Sequence, residues 1–256
     1  MVDELPSELD RLHARIAPRF TRSEPRRRAR QYLSGLVADL TRKNGWTLAE
    51  RAGDVSPDGM QRLLRRADWD VDGVRDDVRD YVIEHLGDPG GVLMAGEAGF
   101  PKRGTGSAGV ARQYSVTSGR IENCQVGVFL AYRSGRGLAL IDRELYLPRE
   151  WTADPVRCRT AGIGSDAAYV TRARIAERMA TRALAADDRL DRVTDDRRAI
   201  GECLRLARRY AGLDQYQVRD WRAWHAHITL SMAALAGLVV AGRLPPKGNV
   251  PPATGR

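Results

Sequence analysis

Carboxylates near the ends of apolar runs are the residues of this 256-residue chain best suited to chemistry. Glu97 follows the apolar run 91–95 and opens the glycine-bearing segment Glu97, Ala98, Gly99, Phe100. Asp142 and Glu144 lie two positions apart in a later run. Acidic oxygens at strand ends suit a hard divalent cation, and a cation held there activates water or a hydroxyl against a phosphodiester. That is nuclease-type chemistry. Asp142 and Glu144 share one strand face and could mimic a carboxylate pair, but nothing third converges on them, so the simpler reading is an exposed strand face. His225 and His227 form an HxH pair; neighbours two apart on a helix do not converge on one ion, which favours packing or a polar cap. The segment KRGTGSAGVAR at 102–112 is glycine-rich but carries no GK[ST] and opens no helix, so it is not a phosphate loop of that kind.

Positioning these groups requires strands and helices in a definite order. Residues 113–151 read QYSVTSGRIENCQVGVFLAYRSGRGLALIDRELYLPREW, with apolar runs at 124–132 and 137–146 separated by Arg133, Ser134, Gly135 and Arg136. Two such runs around a turn predict an antiparallel hairpin in the core. The run 91–95 supplies a third strand before it. Residues 1–88 read as helices: Ala29, Tyr32, Leu33, Leu36 and Val37 recur at helical spacing after Pro25, a second helix starts at Ser56, Pro57 and Asp58, and a third covers about 72–86. Gly87, Asp88, Pro89, Gly90 and Gly91 mark a boundary. Beyond the strands, 151–165 reads as a loop and 172–186 as a helix. The segment 199–210 reads as a helix with Ile200, Cys203, Leu204 and Ala207 on one face, and 217–241 as a last buried helix. The stretch 228–241 is too short for a membrane span, and 242–256, with Pro245, Pro246, Pro251 and Pro252, reads as a disordered tail.

The composition narrows the class. The chain is 43% hydrophobic, enough for a core, and carries a formal charge of +9 contributed mainly by arginine, the only lysines being Lys43, Lys102 and Lys247. Guanidinium forks bind phosphate in bidentate fashion, so nucleic acid is the partner such a charge suits. Arg26, Arg27, Arg28 and Arg30 cluster in the first helical segment, and Arg62, Arg65 and Arg66 in the second. Each cluster is either a phosphate contact or a solvated helix face. Cys124, Cys158 and Cys203 show no CxxC spacing, which argues for reduced thiols and against a zinc ribbon or disulfide framework. The N-terminus has no apolar signal segment, so a cytoplasmic protein is expected.

The 113–151 stretch, taken with RKNGWTLAE at 42–50 and GMQRLLRRADWD at 59–70, resembles bacterial insertion-sequence transposases of the DDE superfamily, the branch called DDE superfamily endonuclease. The resemblance covers about 19–241. It implies an α/β fold, here a truncated RNase H-like mixed sheet of about three antiparallel strands plus helices, preceded by an all-helical DNA-binding region. The implied divisions are 1–88, 89–241 and 242–256. It also implies DNA transposition as the activity, DNA terminal repeats as partner, homo-oligomers or hetero-oligomers with intact transposase, no membrane association, and Mg²⁺ or Mn²⁺ as cofactor. Lys102 and Arg103 fall in a loop that the resemblance places near the DNA.

The same resemblance locates the metal-binding carboxylates. The family pattern Asp-Glu/Asp-Thr-Gly-Phe aligns with Gly96, Glu97, Ala98, Gly99, Phe100, so the first aspartate is replaced by Gly96 and the adjacent Glu97 points to the other strand face. Val193, Thr194, Asp195, Asp196 match the second, which makes Asp196 the candidate metal ligand. The third falls at Gly201 or Glu202, ahead of Gly212, Leu213, Asp214. At about 100° per residue, Glu202 lies nearly opposite the buried stripe while Gly201 flanks it, so the vacant Gly201 is the better match. Glu97, Asp196 and Glu202 are then what remains of a degenerate catalytic set. Only residues 197–199 separate the second and third positions, where the family has a long segment. A catalytically inactive, internally deleted remnant that keeps DNA binding is the expectation, against an active endonuclease or a decaying gene product.

Overall fold

A computed structural model describes residues 4–244. Five helices come first: α1 (Glu4–Ile16), α2 (Ser23–Val37), α3 (Gly45–Arg51), α4 (Asp58–Arg65) and α5 (Val71–Leu86). Short polar side chains start several of them. Asn44 accepts from the Trp46 and Thr47 amides while Thr47 Oγ1 accepts from the Asn44 amide, a reciprocal cap that begins α3. Asp70 accepts from the Gly73 amide and begins α5.

The sheet follows the break at 87–91. Strands β1 (Val92–Pro101) and β3 (Arg120–Arg133) pair antiparallel along the full length of β1, from Val92 opposite Arg133 to Pro101 opposite Cys124. On the far side of β3, β2 (Ala111–Ser115) pairs with its first part and β4 (Leu138–Leu145) with its second, the latter register shifting between Leu130 and Ala131. The predicted hairpin is therefore β3–β4, closed by the Ser134 amide donating to Gly137 O at 2.9 Å. Residues 192–194 lie parallel on the open side of β1: the Leu93 amide donates to Arg192 O and the Thr194 amide to Leu93 O, each at 2.8 Å. The sheet therefore has four antiparallel strands where about three were expected, with this short parallel bridge beside β1.

Helices α6 (Arg149–Thr152) and α7 (Pro155–Thr160) occupy the segment read as a loop; Asp154 caps α7 with Pro155 in its first turn, a start signal that the sequence does contain. Then come α8 (Arg172–Ala186), α9 (Arg197–Ala211) and α10 (Trp221–Val240). Directly opposed residues on antiparallel strands point to one face. Gly96 and Phe129 are such a pair, and their face meets Ile200 of α9 and Trp224 of α10. Glu97 and Val128 point to the other face, where Arg172 of α8 binds Glu97.

Helix α10 is the axis of the core. Residues 223–238 are buried, and α1, α2, α4, α5, α9 and β4 all pack on it. Its length and composition would suffice to cross a membrane, but here the apolar girth is covered by the protein itself. His227 is buried within it. Gly212 O can only accept, so Nε2 carries the proton and donates to it at 3.1 Å, while Nδ1 accepts from Tyr32 OH at 2.8 Å. His225 lies 3.0 Å from Glu144 and 2.9 Å from Trp221 O. Both rings thus have polar partners within the fold. The strand face bearing Asp142 is not exposed, contrary to the reading above. Asp142 is 2% exposed and takes two donors from Arg182, at 3.0 and 2.7 Å, with Arg75 at 3.7 Å. Beside it the buried Arg143 donates to Thr229 and Asp72. The expected tail lies, from 245 onward, outside the described residues.

Candidate active site

Gly96 sits in the middle of β1, facing α9. A Cβ at this position would stand 2.6 Å from Ile200 Cγ1 and 2.9 Å from Cγ2. Those atoms belong to the root of a β-branched side chain, which has one favoured χ1 in a helix and no room to swing aside. Ile200 is 3% exposed and closes the core over this strand. The place where a carboxylate would enter from β1 is therefore filled.

The neighbouring acid cannot reach round. Glu97 Oε2 accepts from Arg172 Nη1 at 2.8 Å on the α8 face, and the same guanidinium donates to Gln113 at 2.9 Å and lies 4.7 Å from the centre of the Tyr146 ring. Asp196 is occupied differently. As the cap of α9 it accepts from the Ala199 amide at 3.0 Å, and Oδ2 accepts from Arg133 at 2.8 Å. The Ala199 N–H first, and then Arg133, hold its carboxyl below the usual range. The Cα of Arg133 is opposite Val92, four residues before Gly96, so the ion pair draws Asp196 toward the start of β1.

Glu202 is half-buried and lines a cleft with Arg133, Arg136, Leu138, Leu206 and Val239. Gly201 is exposed, with nothing within 4 Å of its Cβ position, so of the two it is Glu202 that borders the covered side of α9, the reverse of the expectation from helical spacing. Glu97, Asp196 and Glu202 therefore do not form one site. Among the described residues no three His, Cys, Asp or Glu side chains gather where a cation could be held. A two-metal centre needs carboxylates from both strands and the helix converging on one point. The residues present do not fit such a centre.

Helix α9, to which the resemblance assigns the third carboxylate position, is set against β1, to which it assigns the first. Comparison with known protein families matches residues 15–211 to the one described as DDE superfamily endonuclease. The chain belongs to that family. No curated protein and no solved structure matches it.

The nine basic residues singled out in this DDE family member fall into two groups. Arg28 is buried and paired with Asp54 and Glu24, Arg30 is paired with Asp10, and Arg65 with Asp220, while Arg26 donates to Phe20 O. Lys102 lies with Nζ 3.7 Å from the centre of the Tyr216 ring, and burial lowers its pKa to about 8. Arg27, Arg62, Arg66 and Arg103 are exposed, with no acidic partner among the described residues. Sequence reasoning missed the occupant of the Gly96 site. Ile200 was visible only as a member of an apolar stripe, and no local signal tells which strand position a stripe residue will meet.

Proposed function

We propose that this DDE-family chain is a DNA-binding protein without strand-cleaving activity, an internally deleted insertion-sequence transposase acting in the cytoplasm. The supporting observation is the Ile200 side chain in the space that a residue-96 carboxylate would need. Each metal ion contributes several kcal/mol of transition-state stabilisation, so loss of its ligands removes the chemistry while leaving the fold. The direct run from the Thr194 bridge through the Asp196 cap into α9 supports the deletion reading, since no further strand intervenes. Arg27, Arg62, Arg66 and Arg103, exposed and without acidic partners among the described residues, remain for phosphates of the transposon ends, alone or beside an intact transposase.

The test uses the full chain with a labelled duplex carrying the element's terminal repeat. Binding that weakens linearly with log salt, and no nicking in Mg²⁺ or Mn²⁺, is the expected pair of results. Specific nicking that Asp196→Ala abolishes would overturn the reading.

A further inference from the structure

Most glycines inside the helices have packing reasons; Gly45, the first residue of α3, would make only ordinary contacts at 3.7 Å, and one interior glycine makes none. A Cβ on Gly35 would meet Leu48, on Gly59 the Arg28 guanidinium, on Gly73 the Asp70 carboxylate and on Gly237 Leu9. Gly201, within α9, meets nothing within 4 Å. A glycine there lowers helix stability relative to alanine and relieves no crowding.

Its surroundings are basic. At about 100° per residue, Arg198 and Arg205 fall within roughly 20° of each other on the side of α9 opposite Ile200 and Ala207, with Arg209 in line beyond them. Gly201 lies beside that line, between Arg198 and Arg205. Arg198, Arg205 and Arg209 are exposed, and neither Arg198 nor Arg205 has an acidic partner among the described residues. The nearest carboxylate on the helix, Glu202, lines the cleft with Arg133 and Arg136. From Arg198 to Arg205 is about 10 Å along the axis at 1.5 Å per residue. One strand of B-DNA advances 3.4 Å per phosphate, so that distance spans roughly three phosphate steps.

The geometry points to the outer face of α9 as a phosphate-backbone contact for duplex DNA, with Arg198 and Arg205 as the phosphate ligands and Gly201 as the gap that lets the strand approach the helix. The helix on which a DDE enzyme carries a carboxylate thereby serves as a binding rail. This rests on the DNA-binding reading above and adds a surface distinct from Arg27, Arg62 and Arg66.

The experiment is fluorescence anisotropy of the full chain with a fluorescein-labelled duplex of arbitrary sequence, titrated over a salt series. Removing both arginines in R198A/R205A should make the slope of log K against log salt shallower by about 2, at close to 0.9 per phosphate contact. R198K/R205K should restore most of it, and the melting temperature should not change. Gly201→Ala should raise the melting temperature and leave binding intact, Gly201→Glu should weaken binding, and Glu202→Gln should tighten it. An unchanged slope in R198A/R205A, in a chain whose wild type binds and whose R62A/R66A variant binds less, overturns the α9 surface and leaves the DNA-binding reading standing. A wild-type chain that binds no duplex overturns both.

Discussion

Asp142 on β4 and Gly96 on β1 belong to one sheet, and the two positions show opposite treatment of charge. At β4 a carboxylate is taken almost wholly out of water and matched by Arg182 and Arg75, with Arg143, Asp72, Glu144 and His225 continuing the network outward. At β1 the strand position facing α9 has no side chain, and an isoleucine fills the space. Burying a charge is costly unless partners surround it, so the β4 acid is retained together with its arginines. A catalytic acid needs the reverse: open lone pairs turned toward a cation. Glu97, Asp142 and Glu144 each hold a helix to this sheet, through Arg172 and Arg182 of α8, Arg75 of α5 and His225 of α10.

The largest expected effect follows from that contrast. Asp142→Ala strips Arg75 and Arg182 of a shared partner and should cost about 3–5 kcal/mol, the range for breaking one side of a buried ion pair. A shift of the urea midpoint at unchanged m-value would register it. A loss below about 1 kcal/mol would mean that the network is no more than a surface arrangement.

Burial governs the next effect. Desolvation lowers His227 from 6.5 to about 4. Between those values the unfolded chain takes up a proton that the folded chain refuses. The stabilisation is complete above pH 6.5 and is lost as pH falls from 6.5 toward 4, on the order of 3 kcal/mol in all. Chemical denaturation at pH 7 and pH 4.5 should show that fall in the wild type, and His227→Gln should flatten it.

At Gly96 the expected cost is smaller and more diagnostic. Gly96→Asp drives a side chain against Ile200 and should destabilise by about 1–3 kcal/mol, the usual overpacking range. Combined with Ile200→Ala, the aspartate should cost less than the two single changes added together, because the second change makes room for it. Strict additivity would show that Ile200 is not what fills the site. Neither variant should gain Mg²⁺-dependent nicking, since Asp196 stays bound to Arg133 and position 201 stays without a carboxylate.

Residues differed in how much the sequence disclosed. Helix α8 was legible to both ends because Ile175, Met179 and Leu184 recur close to helical spacing; the structure adds the Thr171 cap. The β3–β4 hairpin was legible from two apolar runs about a turn. Strand β2 was not, being five residues at a sheet edge with Tyr114 exposed. The absence of a carboxylate at Gly96 could be read directly, whereas the presence of Ile200 above it depends on how α9 docks, which only tertiary packing decides. Asp142 misled for a related reason: an acid on a strand reads as solvent-exposed until arginines from two distant helices are seen to close over it.

Glu97 yields the smallest effect and the sharpest separation of the two faces. It pairs with Arg172 while both side chains keep about a quarter of their exposure, so Glu97→Gln should cost less than about 1 kcal/mol. Were Glu97 instead able to serve the α9 face, the same change would alter the binding of Mn²⁺, readable as a change in proton relaxation enhancement of the full chain. An unchanged Mn²⁺ titration with a small stability loss is what the register demands, because Glu97 and Gly96 are consecutive residues of one strand and their side-chain directions cannot be exchanged without slipping β1 against β3.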